Sequence, residues 1–515
     1  MKFSMSLYSS FFQITKQKRN DIFLTYGDQT YTYHDVLMKS LQIAGYLLHC
    51  KIEKGSRIAL MLPSSPEFFF IVLALSRLEC TVVPIDPHFK ALAIRHIVND
   101  SNTPFIIFHK DYEGSVQDAI DILDNLKSVI SVGGKAELTD YSIDDHLSHA
   151  PYGGPFSPQS EQEAAIFYSS GTSGPSKGGI FTNRQLIFNA RSFNESMILH
   201  ESEILCARFP LHHFWGFTTV LVSSLIKGNR VIILNSVKLP PVPENSRGAI
   251  LNADPDFYEE LSESKEPIPE KVLYGITAGG HLKPDVQLAL YETFHFPVFR
   301  GYGLVEAGPV ILINNDVTKL RSIGIPLHNI SVLLKDGEKI ISPPNIGELC
   351  IRQEWVVSAL THDTNLLKDV REKGWFRTGD LCYQDIDGYI YFVDRKENRI
   401  RINGFDMFPE GAENILKKHA NIKQAALVGV PVDSFGNEKC IAYIVPEKVS
   451  KIDVDTLRNY LAGKIPAYQI PSDFVIVNHL PVGATGKISR QMIRRNAIQY
   501  YNKNINLSSK PEDDL

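Results

Sequence analysis

Short apolar runs alternate with segments of helical length over roughly the first 320 residues of the chain. The runs SRIALML (56–62), CTVVPID (80–86) and TPFIIFH (103–109) are typical of buried strands, and EFFFIVLALSRL (67–78) is long enough for a helix. The same rhythm returns in NRVIILN and in VLYGITAGG, where a strand runs into a Gly-rich turn. Alternation of this kind predicts an α/β fold with two related α/β layers.

The pattern changes beyond Arg321. GELCIR and GWFRTGDLCYQDIDGYIYFVDRKENRIRINGF contain short strands and Gly-Asp or Asp-Gly pairs, which favour tight turns and predict a small β-rich unit. A helix candidate (409–419), two strands (QAALVGV and CIAYIVP) and a helix (454–462) then predict a compact α+β domain. We therefore expect a large N-terminal domain over 1–395 and a small C-terminal domain over 396–515.

Composition excludes several classes of protein. With 515 residues, 43% of them apolar and 22% charged, the chain is long enough for several packed units and is not of disordered composition. A net charge of −5 without a dense Lys/Arg block argues against nucleic acid as a partner. The six cysteines form no CxxC pair, and the longest apolar run, FFFIVLAL, is too short to span a bilayer. We expect a cytoplasmic protein with reduced thiols and no transmembrane segment.

One segment, FYSSGTSGPSKGG (167–179), combines the residue types that bind phosphate. Small residues let backbone amides approach an anion, and hydroxyls and a lysine supply further donors. It is not a Walker loop, because GxxxxGK[ST] cannot be placed on it. The candidate phosphate-binding residues are Ser169, Ser170, Gly171, Thr172, Ser173, Gly174 and Lys177.

Three further segments follow in order: FRGYGLVEAGPV (299–310), the long β-rich stretch that begins at Gly374, and LPVGATGKISR (480–490). Together the four segments resemble the adenylate-forming superfamily, which contains acyl-CoA synthetases, adenylation domains of peptide synthetases and luciferase. Weaker similarities in segments near both ends extend the resemblance over nearly the whole chain. The resemblance is greatest to free-standing acyl-CoA synthetases and implies a mobile C-terminal domain.

The resemblance implies a site for ATP and Mg²⁺. Attack of a carboxylate on the α-phosphorus of ATP requires groups that neutralise two anions and the leaving pyrophosphate. The Ser/Thr/Gly segment with Lys177 would hold the β- and γ-phosphates, and Glu306 would ligate Mg²⁺. His213 would lie near the carboxylate of the acid.

The same resemblance implies which residues bind the nucleoside of ATP. Tyr302, followed by Gly303, would stack on adenine, with Gly279 and Gly280 letting the ring lie close to the backbone. Asp380, in the turn TGD, would accept hydrogen bonds from the ribose hydroxyls, and Arg395 would make a second ribose contact.

Two residues are assigned to the motion of the C-terminal domain. Lys487 resembles the mobile catalytic lysine that reaches the attacking carboxylate and the α-phosphate, and Glu397 stands at the hinge, where relatives usually carry Asp or Lys. Two other positions depart from the pattern. Val305 replaces a threonine, and Gly411 disturbs the PxEVE motif.

The acid pocket is predicted around RFPLHHFWGFTTV (208–220). Phe214 follows His213 where amino-acid-activating relatives carry an aspartate, so amino acids are disfavoured because their ammonium would be buried without a partner. Phe214, Trp215 and Phe217 offer an apolar lining. Trp215 or Phe217 is also a candidate gate of a fatty-acyl tunnel.

Arg300 and Gly301 complete the predicted acid pocket. GYGLVEAGPV is similar to the corresponding segment of aryl-acid:CoA ligases. Arg300, next to it, would instead recognise a second carboxylate if the chain is more similar to dicarboxylate:CoA ligases. The candidate acids, in order, are a medium- or long-chain fatty acid, an aryl acid and a dicarboxylate.

The acceptor implied by the resemblance is coenzyme A, and the enzyme would be a monomer or homodimer. The sequence leaves open that the acyl group is loaded onto a separate carrier protein, or that the chain is a non-catalytic acyl or nucleotide sensor.

Overall fold

The computed structural model describes residues 5–123, 125–139, 141–168, 176–264, 266–280, 282–353, 359–361, 374–403, 405–433, 436–447, 453–482 and 488–508. Two large sheets and one smaller sheet use strands from the first 395 residues, and two small sheets follow. Strands and helices are numbered in chain order. Among the described residues no helix combines the length and apolarity needed to cross a membrane.

The first large sheet has parallel strands at its centre and antiparallel strands at its edges. Its nine strands lie in the order β16 (Ile325–Pro326), β15 (Gly308–Ile313), β14 (Val298–Leu304), β13 (Val272–Thr277), β12 (Gly248–Asn252), β10 (Glu203–Ala207), β11 (Val231–Ile233), β1 (Ile22–Tyr26) and β2 (Gln29–Thr32).

The second large sheet is parallel from β4 through β7, and its β8–β9 pair is antiparallel. Its eight strands lie in the order β20 (Ala359–Leu360), β9 (Gly178–Thr182), β8 (Glu163–Tyr168), β4 (Thr81–Pro84), β3 (Arg57–Met61), β5 (Phe105–His109), β6 (Ser128–Val132) and β7 (Tyr141–Ser142).

The helices of this part of the chain separate and cover the two sheets. They are α1 (Leu7–Thr15), α2 (Tyr33–His49), α3 (Pro66–Arg77), α4 (Ala91–Asp100), α5 (Glu113–Ile120), α6 (Asn183–Ser196), α7 (Phe214–Gly216), α8 (Ser223–Lys227), α9 (Pro255–Ser264) and α10 (Pro284–Phe294), with a π-helical stretch over Phe217–Val222.

The largest apolar core lies between the two sheets and includes residues of α2, α3 and α6. Helix α3 contacts strands of both sheets, and ten of its twelve residues are buried. A helix enclosed on all sides needs apolar residues around its whole circumference, which explains the unbroken run that begins at Phe68. Separate cores lie on the outer faces, one under α9 and α10 and one under α4 and α5.

The β-rich unit is an antiparallel five-stranded sheet that shares a core with β15. Its strands lie in the order β18 (Lys339–Ile341), β17 (Ile330–Asp336), β19 (Gly347–Gln353), β21 (Phe376–Gln384) and β22 (Ile390–Arg395). Strand β22 ends at Arg395, and the 3₁₀ turn Lys396–Asn398 leads into the C-terminal unit.

The C-terminal unit has a two-stranded hairpin and a three-stranded sheet with helices on both faces. Its elements are β23 (Ile400–Ile402), β24 (Phe405–Met407), α11 (Pro409–Lys417), β25 (Ile422–Pro431), β26 (Glu438–Pro446), α12 (Val454–Ala462), β27 (Asp473–Ile476) and α13 (Arg490–Ser508). The predicted architecture, two α/β layers with a β-rich unit and then a small α+β domain, is confirmed.

Candidate active site

The hairpin β14–β15 carries the GYGLVEAG segment at the edge of the parallel strands. Gly303 is required here, because a Cβ atom at this position would lie 1.9 Å from the carbonyl oxygen of Pro309 on the paired strand. The turn between the two strands holds Glu306, which is partly exposed, and Val305, which is only 2% exposed. The hairpin therefore presents the Glu306 carboxylate at the surface and directs the Val305 side chain into the core.

Tyr302, Asp380 and Arg395 form one connected cluster. The Tyr302 hydroxyl donates a hydrogen bond to Asp380 Oδ2 across 2.5 Å, and Arg395 Nε lies 2.7 Å from Asp380 Oδ1. Asp380 and Arg395 are paired across β21 and β22, so the sheet register fixes their contact. The structure thus joins the predicted adenine-stacking residue to both predicted ribose-binding residues.

The charges around Asp380 extend this cluster to Glu306 and Glu397. Burial raises the pKa of Asp380, the Arg395 charge and the Tyr302 hydrogen bond act in the opposite direction, and Glu306 and Glu397 raise it further. Burial acts to lower the pKa of Arg395, yet the surrounding acidic groups hold that pKa above its usual value. Five residues predicted from two separate segments therefore share one electrostatic environment.

His213 precedes α7 and caps it. The backbone N–H of Trp215 donates to His213 Nδ1 across 3.2 Å, which places the proton of a neutral imidazole on Nε2. Gly279 has φ +73°, and a Cβ atom there would lie 3.5 Å from His213 Cε1. The turn after β13 therefore approaches the histidine closely, and Gly280 continues it at the surface.

The predicted acid-pocket residues separate into distinct environments. A Cβ atom on Gly301 would lie 2.1 Å from Cη2 of Trp215, so the indole occupies the space that a side chain at 301 would need. Phe217 is fully buried and packs edge-on against Phe167 and Phe68, with ring centroids 5.1 and 6.4 Å apart. Phe214 is only half-buried and lies against His213, with ring centroids 4.3 Å apart.

Arg300 lies within β14, directly before Gly301. Its Nη1 donates to the backbone oxygen of Arg321 across 3.1 Å, and burial lowers its pKa while the charge of Glu410 raises it. Since Glu410 belongs to α11, Arg300 faces a carboxylate of the C-terminal unit.

Several predicted residues lie outside the described part of the chain: Lys487 and the six phosphate-segment residues Ser169, Ser170, Gly171, Thr172, Ser173 and Gly174. Lys177 is described and exposed, and Glu397 is exposed in the turn that follows Arg395. The roles assigned to all of these residues stay predictions.

The sequence does not predict the polar contacts made by three residues next to the site, His212, His96 and Asp100. His212, beside the predicted His213, is partly buried, with its Nε2 atom 3.8 Å from Asp86 Oδ2. The pKa of His212 is lowered to about 4, because the effect of burial outweighs the opposing charge of Asp86. His96 and Asp100 of α4 contact the residues that border the phosphate segment. The sequence signal that could have predicted such a contact is the adjacent pair His212-His213, because a second histidine beside the predicted His213 is a candidate for pairing with an acidic residue such as Asp86.

Comparison with known proteins gives two family matches. The pattern described as AMP-binding enzyme matches residues 11–360, and the pattern described as AMP-binding enzyme C-terminal domain matches residues 412–487. The second match lies within the C-terminal unit that begins after Arg395.

Individual relatives cover almost the whole chain. A long-chain-fatty-acid–CoA ligase of Escherichia coli O157:H7 is 25% identical over 509 residues, 90% of this chain and 90% of its own. An oxalate–CoA ligase of Arabidopsis thaliana is 25% identical over 472 residues, 87% of this chain and 90% of its own.

The solved structure of o-succinylbenzoate CoA synthetase from Bacillus subtilis, in complex with its acyl-adenylate intermediate, superposes with a TM-score of 0.82 at 23% identity, over 95% of this chain and 98% of that one. This likeness shows the fold. Because the first family pattern alone matches more than half of the 515 residues, the chain belongs to the AMP-binding enzyme family, as the resemblance to adenylate-forming enzymes predicts.

Proposed function

We propose that this enzyme is an ATP-dependent acid:CoA ligase, which joins a carboxylic acid to AMP, releases pyrophosphate and then transfers the acyl group to the thiol of coenzyme A. The observation that carries the proposal is the Tyr302–Asp380–Arg395 cluster. A buried carboxylate at 1% exposure, held between a hydroxyl and a guanidinium, is suited to accept hydrogen bonds from a diol such as ribose. The ligase names of the relatives support the same reaction.

In the first step the carboxylate of the acid approaches the triphosphate of ATP, so two anions must be held close together. Different residues of the chain bind the different parts of the two substrates. Asp380 and Arg395 hold the ribose, and Tyr302 faces the adenine. His213, with its proton on Nε2, donates towards the carboxylate of the acid or the α-phosphate. Lys487, which two glycines, Gly483 and Gly486, precede in the sequence, enters to neutralise the developing charge.

Glu306 fits the role of a magnesium ligand. It is a partly exposed carboxylate in a turn beside the ribose-binding cluster, and hard oxygen ligands are those that Mg²⁺ prefers. Among the described residues no three His, Cys, Asp or Glu side chains are grouped so as to hold a metal by themselves. A single carboxylate such as Glu306 suits an Mg²⁺ ion that is bound mainly by the phosphates of ATP. The ion would neutralise part of the charge of the triphosphate.

For the acid, a medium- or long-chain fatty acid is our first candidate, because the predicted pocket is lined by Phe214 and Trp215 and the E. coli relative acts, by its name, on long-chain fatty acids. A compact aryl acid is the second candidate. It is favoured by one observation, the packing of Trp215 directly against Gly301, which limits the depth of a pocket beside β14.

After adenylation, rotation of the C-terminal unit at Glu397 would exchange the face that carries Lys487 for the face that admits the thiol. The exposed turn Lys396–Asn398, which connects β22 to β23, is where such a rotation would occur.

The test is release of pyrophosphate from ATP and Mg²⁺ with panels of fatty, aromatic and dicarboxylic acids, each with and without CoA. Sustained turnover that depends on CoA and on one class of acid is the expected result. A single burst without stimulation by CoA would indicate a carrier protein as acceptor. Absence of pyrophosphate release with every acid would contradict the ligase proposal and favour a sensor.

A further inference from the structure

Helix α4 contacts the chain on both sides of residues 169–175, which are the middle part of the predicted phosphate-binding segment 167–179 and are called the phosphate segment below. The Tyr168 hydroxyl, at the end of β8, donates to Asp100 Oδ2 across 2.6 Å. His96 Nε2 lies 2.6 Å from the backbone oxygen of Ser176, just before β9. His96 and Asp100 are four residues apart and so lie on the same face of the helix, one turn from each other.

The chemistry of both contacts is defined by the atoms involved. A carbonyl oxygen only accepts, so His96 carries a proton on Nε2 and donates it to Ser176. Burial raises the pKa of Tyr168 and the Asp100 carboxylate adds to that shift, so the phenol stays protonated and acts as the donor. The His96 and Tyr168 rings also meet nearly edge-on, with centroids 6.2 Å apart, which joins the two contacts into one cluster.

The strands that border the segment are themselves closely joined. Tyr168 pairs with Gly178 in the β8–β9 register, and a Cβ atom on Gly178 would lie 2.8 Å from Cζ of Tyr168. Thr361 accepts a hydrogen bond from the Gly178 N–H at its Oγ1 atom (3.2 Å) and donates its own N–H to the Gly178 oxygen (3.0 Å). The described residues on each side of 169–175 therefore have fixed positions relative to α4.

We propose that His96 and Asp100 are positioning residues for ATP. By holding Ser176 and Tyr168, they fix the two ends of the segment that, under the proposed function on which this inference rests, binds the β- and γ-phosphates. Groups that are positioned before a ligand arrives reduce the conformational-entropy cost of binding it, so the free energy of ATP binding becomes more favourable. Neither side chain is required to touch the nucleotide.

Measuring adenylation and thioester formation separately distinguishes an effect on ATP binding from a general loss of stability. The β- and γ-phosphates take part in adenylation and are absent when acyl-adenylate is supplied for transfer to CoA. We expect His96→Ala and Asp100→Ala each to raise the KM for ATP by about 5- to 30-fold, the range that corresponds to loss of a partly buried hydrogen bond. The KM for the acid and the rate of thioester formation from supplied acyl-adenylate should stay unchanged.

Two further variants sharpen the comparison. His96→Gln keeps an N–H donor and should restore much of the ATP affinity lost in His96→Ala. Tyr168→Phe combined with Asp100→Ala should be no worse than either single change, because both remove the same contact. Asn99→Ala, with an exposed side chain on the same helix, is the matched control and should behave as wild type.

Equal loss in both half-reactions, together with a lower unfolding temperature, would overturn the proposal in favour of a structural role, as would an unchanged KM for ATP. Calorimetric titration with ATP and Mg²⁺ tests it without turnover. If wild type binds ATP but activates no acid, the proposed ligase function fails, while weaker ATP binding by His96→Ala would still support the positioning role. Identical ATP affinities in the two proteins would overturn it.

Discussion

The hydroxyl of Tyr302 donates a hydrogen bond of 2.5 Å to the buried carboxylate of Asp380. The contact crosses from the hairpin β14–β15 to the five-stranded sheet, so the two segments that are predicted to bind adenine and ribose are joined directly. Asp380 also has Arg395 as a partner, which leaves the carboxylate acceptor sites for further donors.

This relationship predicts unequal effects of two substitutions. Tyr302→Phe removes one donor while Arg395 still neutralises Asp380, so the KM for ATP should rise by less than about tenfold. Asp380→Ala leaves the guanidinium of Arg395 without its carboxylate partner and should raise that KM by far more. Steady-state pyrophosphate release at varied ATP measures both. Equal losses in the two variants would show that the phenol itself, and not the carboxylate, is the principal contact to the nucleotide.

Lys487→Ala should slow adenylation by roughly 10²–10³, the size expected when one preorganised charged donor is removed from a site of charge development. Thioester formation from supplied acyl-adenylate should hardly change, because the lysine serves the first half-reaction alone. Rapid-quench measurement of each half-reaction gives the two rates. A parallel loss in both would exclude alternation of the C-terminal unit as the reason for the division of labour.

The sequence predicts most of the fold because its elements are long and strongly patterned. The segment 67–78 was expected to be a helix and the helix spans Pro66–Arg77, and the predicted helix 454–462 matches Val454–Ala462. The family resemblance groups Tyr302, Asp380 and Arg395 around the nucleoside, and the structure brings these three side chains into contact.

What the sequence cannot provide are contacts between distant segments. Asp100 and Tyr168 are 68 residues apart, and Asp100 belongs to no motif, so their hydrogen bond depends on how α4 packs beside β8. The different environments of Trp215 and Phe217 also depend on the π-helical stretch Phe217–Val222, which no local pattern indicated. Sequence patterns predict which residue types are available, and tertiary packing determines which of them face a ligand.

Val305→Thr tests the departure from the family pattern. The side chain is 2% exposed and packs in the core between the two sheets. A threonine hydroxyl would therefore be buried, at a cost of about 1–3 kcal/mol if it finds no partner. We expect a lower unfolding temperature and a KM for ATP within about twofold of wild type. Val305→Ala is the control for loss of volume, and a marked gain in ATP affinity in Val305→Thr alone would show that the hydroxyl reaches the nucleotide.

Trp215 should determine which acids fit. Trp215→Phe removes the part of the indole that contacts Gly301, so kcat/KM for longer or bulkier acids should rise relative to compact acids by about tenfold, or 1.4 kcal/mol. Phe217→Leu is the matched control, because Phe217 packs against Phe167 and Phe68 and should affect stability without altering the acid profile. Competition between pairs of acids measures the ratio. An identical profile in Trp215→Phe would exclude the indole as the boundary of the pocket.

Glu410 is a partly buried carboxylate on the first turn of α11. Its backbone N–H donates to Asp394 Oδ2 across 3.1 Å. Burial and the charges of Asp394 and Glu413 together raise the pKa of Glu410 to about 7, against the opposing charges of Arg300 and Arg490. The folded protein therefore keeps a proton on Glu410 at pH values where the unfolded chain has released it.

The sign of the effect on stability follows from this difference. Between the usual pKa of about 4.3 and the raised value near 7, the folded state binds more protons than the unfolded state, so stability falls as the pH rises, and the full cost is present above pH 7. Glu410→Gln removes the ionisation and should raise the unfolding temperature at pH 8, with the gain shrinking towards pH 5. Thermal unfolding followed at several pH values measures the gain, and Glu260→Gln, at an exposed position of α9, is the control. A gain that stayed constant from pH 5 to pH 8 would show that the charge of Glu410 does not cause the instability, and a loss at every pH would show that its carboxylate makes a stabilising contact with Arg300 or Arg490.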